Sequence, residues 1–312
     1  MALYGCWGLQ KYMDIRILCE QFCEYSITIR GYSKATVRRY KYVIGAFCRF
    51  SGVTELHQVN EAVIRNLLFY GRTERKWITH TFLVYKLTLL VFFRWCVKQG
   101  FMASNPVTDI ESPKLEKRLP VKISRQDALR LLEIVDNYPY DSKFLRFRNH
   151  AIFATFIFAG LRKQELLHLK YTDVDIENMT LFVRQGKGNK DRILPISYTL
   201  AQSLKRYLNE RNRMNKTCPE FFASSNRNKA YTDNGLKRLV VQISNAMSMK
   251  FTVHKLRHTF ATLMLEGGCD IYSLSKMMGH SDIKTTTIYL AASVEHLRYQ
   301  MVKHPLNDMS CR

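Results

Sequence analysis

The chain has 312 residues, 46% of them hydrophobic, and a formal net charge of +22 from 48 Lys and Arg against 26 Asp and Glu. That length suits about two domains with packed cores. A solvated surface does not need such an excess of cations, whereas a polyanion does, because each neutralised phosphate releases counterions. An anionic membrane is the lesser alternative, since no Lys-rich amphipathic run stands out. No stretch reads as an unbroken transmembrane span. Met1 to Trp7 lacks a basic region ahead of a long apolar core and makes a poor signal peptide. The eight cysteines are scattered and form no Cys-x-x-Cys pair. That favours reduced thiols over a disulfide scaffold or a zinc site, and a cytoplasmic location.

Residues 1–13 show no clear period and read as an N-terminal extension, with Met13 as an alternative start. Residues 14–104 read as helical throughout. Ile15, Leu18, Phe22 and Tyr25 recur at helical spacing. Gly31-Tyr32-Ser33 breaks that helix and offers Ser33 as the cap of the next, which buries Val37, Tyr40, Ile44 and Phe47. Asn60 caps a third helix carrying Val63, Leu67 and Leu68. A fourth, from about Lys76 to Lys98, is long and apolar, with Phe82, Leu83, Leu87, Leu90, Phe93 and Trp95. Four such helices make a small bundle. On its own, the bundle fits a generic helical domain as well as a DNA-binding one.

Residues 105–122 hold three prolines and many charges, and Asn105-Pro106 ends the bundle because a residue before proline avoids the helical region. This is the expected linker to a second domain over 123–305, with a tail over 306–312. Ser124-Arg125-Gln126-Asp127 opens a helix. An almost wholly apolar helix spans about Phe147 to Phe158, and Gly160 then turns the chain and presents Arg162. Glu165 stands three residues on, where it can orient Arg162; an ordinary helix-face carboxylate is nearly as good a reading. The period changes between Asp173 and Ile196, where Thr180–Val183 and Arg192–Ile196 read as strands around a glycine-rich turn bearing Lys187. The Gly-Lys-Gly there lacks phosphate-loop spacing, and a basic hairpin tip that only touches DNA is its plainer reading. Residues 198–250 are mostly helical.

The richest stretch runs from His254 to Tyr289. His254 and Arg257 stand i, i+3 at the front of an amphipathic helix, on one face. Glu266-Gly267-Gly268 stops it. Ile271 to Met278 forms a short helix ended by Gly279, His280 follows, and Ser281 or Asp282 caps a third helix with Ile283, Ile288 and Leu290 on its apolar side. Tyr289 lies near its end. Arginine grips phosphate oxygens, histidine donates or accepts a proton near neutrality, and tyrosine can attack phosphorus and become covalently linked. With seventeen tyrosines and nine histidines, no one of these residues is informative alone. Their ordered set is.

His254-x-x-Arg257-His258-Thr259-Phe260-Ala261-Thr262, Gly279-His280-Ser281 and Tyr289 resemble the C-terminal signature of the tyrosine recombinases, or phage-type integrases, and their Xer-like members most of all. The upstream Ala159-Gly160-Leu161-Arg162 through Leu166 and Gly186-Lys187-Gly188-Asn189-Lys190-Asp191-Arg192 match the family's other two motifs. The resemblance covers the chain from about Met13 onward. It implies a mainly α fold with a small β-hairpin or sheet (α+β): a helical core-binding bundle over 14–104 and a catalytic domain, closing around a duplex. It implies catalytic roles for Arg162, Lys187, His254, Arg257, His280 and Tyr289. Arg162, Arg257 and His280 would hold the scissile phosphate, Tyr289 would attack to form a 3′-phosphotyrosine, His254 would take its proton, and Lys187 would protonate the leaving 5′-oxygen. Arg38, Arg39, Lys41, Lys190 and Arg192 are the expected further DNA contacts.

Neither a cofactor nor a metal is called for, since the cations are side chains and the covalent link stores the bond energy. The implied partners are a double-stranded recombination site and further protomers, as a homotetrameric synapse or a heteromer with a related recombinase, docked through a last helix from Ser293; no membrane is implied. The alternatives are a type IB topoisomerase-like enzyme, a catalytically silent DNA-binding relative, and a basic helical protein for RNA or membranes. The run Ile288-Tyr289-Leu290-Ala291-Ala292 departs from the Tyr-Thr-His ending common in housekeeping Xer proteins, which leans towards a mobile element.

Overall fold

The computed structural model of the chain describes residues 13–114, 122–184, 191–280 and 282–290. The chain divides into two units, residues 1–117 and 118–312. In the first, α1 (Ile15–Thr28), α2 (Lys34–Ser51), α3 (Glu61–Thr73) and α4 (Thr79–Lys98) form a bundle. Asp14, Ser33 and Asn60 cap the first three helices through their side chains. Each cap accepts a hydrogen bond from an amide that has no partner inside its helix. Phe22, Phe47, Phe92 and Phe93 fill the centre, none more than 2% exposed. Each such ring contributes roughly 2–3 kcal/mol by leaving water.

Two expectations change in this unit. By length and apolar composition α4 is long enough to cross a bilayer. Its buried side is spent in the bundle, through Phe82, Tyr85, Leu89, Phe92, Phe93, Trp95 and Cys96. Leu87, expected inside, is exposed. The unit also runs past residue 104: Asn105 donates to the carbonyl of Leu90, and Val107 and Ile110 are buried in the first core. Those contacts tie down the stretch that composition marked as the start of a linker.

The second unit is built around α6 (Lys143–Ala159), which buries residues on every side, including Phe144, Ile152, Phe153 and Phe156. That is why its sequence lacks a polar face. It packs with α5 (Arg125–Asn137), α8 (Tyr198–Arg213) and α10 (Val253–Glu266). The remaining helices are α7 (Lys163–Leu167), α9 (Asp233–Ala246), α11 (Ile271–Met278) and α12 (Lys284–Leu290). An antiparallel sheet has the order β1 (Val174–Asp175), β2 (Thr180–Val183), β3 (Arg192–Pro195), with Thr180 opposite Pro195 and Val183 opposite Arg192. β1 has two residues, too few to show a period. The turn between β2 and β3, with Lys187 and Lys190, lies outside the described residues, as do Ser281 and the helix expected from Ser293. The fold is thus mainly α with a small sheet, as the sequence implies. One face differs from expectation: Ile283 and Ile288 are exposed, and α12 turns Thr286 and Tyr289 inward instead.

Candidate active site

Three helix boundaries bring the site together. α6 ends at Gly160, whose φ of 58° is left-handed, and a Cβ there would lie 2.2 Å from the Phe260 ring. Only glycine meets both demands. The turn aims the Gly160 carbonyl at Arg257 Nη1, which donates to it. Two residues on, Arg162 is the N-cap of α7. α11 ends at Gly279, φ 62°, and its last turn exposes two carbonyls. Met278 accepts from Arg257 Nη2 at 2.6 Å, and Gly279 accepts from Arg162 Nη2 at 2.7 Å. Both arginines are therefore fixed by carbonyls left over at helix C-termini.

Glu165 ties them further. Its carboxylate accepts from Arg162 Nη1 at 2.6 Å and from the Arg162 amide at 2.8 Å, and Arg257 Nη1 is 4.0 Å away. Arg192 adds two bonds, of 3.0 and 2.9 Å. Burial alone would raise the pKa of Glu165; the Arg192 and Arg162 bonds and charges outweigh it and hold the group down at about 2. So Glu165 is an ionised, buried anchor, not an ordinary helix-face carboxylate. The expectation for Arg192 is corrected by the same contacts. Its side chain is 10% exposed, and Nε donates to the carbonyl of Met277. An arginine spent in this way inside the protein does not present its guanidinium to a duplex.

His280 lies beside Arg257, with Nε2 3.2 Å from Nη2, and its Nδ1 is 2.7 Å from the Thr286 hydroxyl. Arginine only donates, so His280 Nε2 accepts and Nδ1–H donates to Thr286. Tyr289 is 3% exposed, and its hydroxyl lies 2.8 Å from Nδ1 of His258. Burial raises the Tyr289 pKa, with Arg257 and Arg162 pulling the other way. Burial lowers that of His258, helped by His254 and Arg257. The contact therefore joins a neutral phenol and a neutral imidazole. His254 stands one turn before His258, ring centroids 5.3 Å apart, and burial also lowers its pKa.

Arg162, His254, Arg257, His258, His280 and Tyr289 together line one cavity of about 400 Å³. A larger one, about 620 Å³, shares Arg162 but is otherwise walled by residues such as Gln164, Glu165, Phe182 and Arg184, and Tyr289 is not in its wall. Five of the six expected catalytic residues therefore meet in the smaller cavity; Lys187 is outside the described residues. His258 was not singled out from the sequence, although its place four residues after His254 puts it on the same helix face.

The chain matches the model of the phage integrase family over residues 122–296. The chain belongs to the phage integrase family. The tyrosine recombinase XerA of Pyrococcus horikoshii is 30% identical over 296 residues, covering 93% of this chain and 94% of that protein. The tyrosine recombinase XerC of Thermodesulfovibrio yellowstonii is 33% identical over 289 residues, covering 89% and 93%. This phage integrase family member is accordingly a Xer-like tyrosine recombinase, an enzyme of DNA strand cleavage and rejoining. Its fold also matches the XerH site-specific recombinase solved on a palindromic difH substrate after cleavage, with TM-score 0.73, 22% identity, and coverage of 92% of this chain and 84% of that one.

Proposed function

We propose that this recombinase cleaves and rejoins a double-stranded recombination site through a covalent 3′-phosphotyrosine on Tyr289. The observation that carries the reading is the single cavity walled by two guanidiniums, His280 and the Tyr289 phenol. Arg162 and Arg257 hold the non-bridging oxygens of the scissile phosphate, with His280 beside them. Charge grows on those oxygens as phosphorus becomes five-coordinate, and donors already fixed by Glu165 and the helix-end carbonyls need no reorganisation to meet it. Tyr289 attacks and Lys187 protonates the departing 5′-oxygen. The 5′-hydroxyl of a partner duplex then attacks the phosphotyrosine, and neither bond energy nor an external energy source is consumed. No step calls for a metal or cofactor. Strand exchange between two duplexes calls for several protomers, as a homo-oligomer or with a related recombinase. Arg38 and Arg39, exposed on α2, contact the DNA backbone, and Lys41 does so in competition with Glu20.

The test uses nicked duplexes from a randomised pool, which trap a cleaved strand because the short fragment diffuses away. Wild-type protein is expected to give a protein–DNA adduct on a denaturing gel and Tyr289→Phe none. An adduct that survives in Tyr289→Phe assigns the nucleophile elsewhere, and specific binding without any adduct means a silent DNA-binding relative. The duplex recovered also separates a chromosomal Xer site from a mobile-element end.

A further inference from the structure

We infer that His258, not His254, is the group that takes the proton from Tyr289 during attack. The inference rests on the phosphotyrosine reading and adds a catalytic residue to it. The Nδ1···Oη distance of 2.8 Å is already that of a general base in place. His258 is carried on α10 between Arg257 and the buried Thr259, so its backbone is held by the same helix that fixes the phosphate-binding arginine. His254 lines the cavity as well, but it is the His258 ring that lies against the phenol, at 5.4 Å between centroids.

The surroundings suit the task. The groups facing His258 are His254 and Arg257 from its own helix and Tyr289 from α12; Arg162 and His280 complete the cavity wall. Burial first, then His254 and the Arg257 charge, lower the pKa of the imidazole and favour its neutral form. In the tautomer protonated at Nε2, Nδ1 is the acceptor that faces the phenol. In the forward step the Oη–H bond breaks and the proton moves to Nδ1, while the Oη electron pair forms the bond to phosphorus. The P–O5′ bond breaks with its electrons on O5′, which takes a proton from Lys187. On rejoining, the incoming 5′-hydroxyl gives its proton to Lys187 as its oxygen bonds to phosphorus, the P–Oη bond breaks with its electrons on Oη, and His258 returns its proton to Tyr289, so nothing is oxidised or reduced.

The test is single-turnover cleavage of the nicked duplex recovered with wild-type protein, over a range of pH. His258→Asn keeps an acceptor near the Nδ1 position but cannot take up a proton. Its cleavage is expected to fall about 10²–10⁴-fold with DNA affinity unchanged, and the rise of rate with pH expected of wild type, through a value below the ordinary imidazole 6.5, should vanish. In His258→Ala, added imidazole is expected to restore part of the rate, which a folding defect would not allow. Cleavage by His258→Asn within a few-fold of wild type, with the same pH profile, overturns the proposal. So does a loss confined to His254→Asn. If wild-type protein forms no adduct with any duplex in the pool, the phosphotyrosine reading fails first and this inference with it.

Discussion

Arg192 and Glu165 stand 27 positions apart, yet two hydrogen bonds of 3.0 and 2.9 Å join them side by side. The pair links β3 to α7, and through Arg162 to the phosphate-binding wall. Arg192→Ala leaves a buried carboxylate with one arginine fewer. A loss of about 3 kcal/mol is expected from breaking a buried pair, read by denaturant unfolding. Arg192→Lys should recover only part of it, because an ammonium cannot make the paired bonds. The affinity for DNA and its salt dependence should change little beyond the loss of folded protein.

The same carboxylate sets an acid limit. Glu165 has an ordinary value of 4.5 and a folded value of about 2. A depressed carboxyl stabilises fully above the unfolded value, and its contribution is lost as pH falls towards the folded one. Stability of the catalytic unit should therefore drop between about pH 4.5 and pH 2. In Glu165→Gln that part of the acid dependence should be absent, although the variant is less stable at pH 7. Thermal melting across this range checks both statements.

Gly160→Ala should be among the most damaging single-atom changes in the chain. It forces a side chain into a left-handed backbone, costing about 1 kcal/mol, and drives a methyl into the Phe260 ring, costing about 1–3 kcal/mol more. It also moves the carbonyl that Arg257 grips, so cleavage should fall further than stability accounts for. In a Phe260→Ala background the steric share should disappear and the backbone share remain, which a double-mutant cycle measures.

Thr286→Val removes the hydroxyl that receives Nδ1–H of His280 while keeping the side-chain volume. The imidazole then loses one of the bonds that orient it, a cost of about 1 kcal/mol. Single-turnover cleavage is expected to fall about tenfold or more. Thr286→Ser should act close to wild type.

Salt dependence separates the cations of the first unit. Arg38→Ala or Arg39→Ala should each lower the slope of log K against log salt by roughly one. Lys41→Ala should lower it less, because Lys41 already pairs with Glu20. Fluorescence anisotropy with a labelled duplex across a salt series reads the difference.

Much of this site is legible along the chain. The i, i+3 pair His254 and Arg257, the glycine stops at Gly160 and Gly279, and the caps at Ser33, Asn60 and Ser124 appear where their spacing places them. Each depends on bonds within about one helical turn, or on the φ that only glycine adopts cheaply. What the spacing does not carry is who faces whom. Arg192 reads as a basic residue of a hairpin until Glu165 and the Met277 carbonyl, 85 positions away, are seen to hold it. His258 reads as a neighbour of the signature arginine until the Tyr289 hydroxyl, 31 positions on, is seen 2.8 Å from its Nδ1. Ile283 and Ile288 read as the apolar side of α12, and the helix turns Tyr289 inward instead. The sequence by itself determined the helices, their ends and the inventory of phosphate chemistry, because those follow from short-range hydrogen bonding and side-chain type. Only the tertiary structure decided which cation binds inward and which histidine meets the nucleophile. Those choices depend on burial and pairing between segments far apart in the chain, where removing a charge or a phenol from water requires a partner in place.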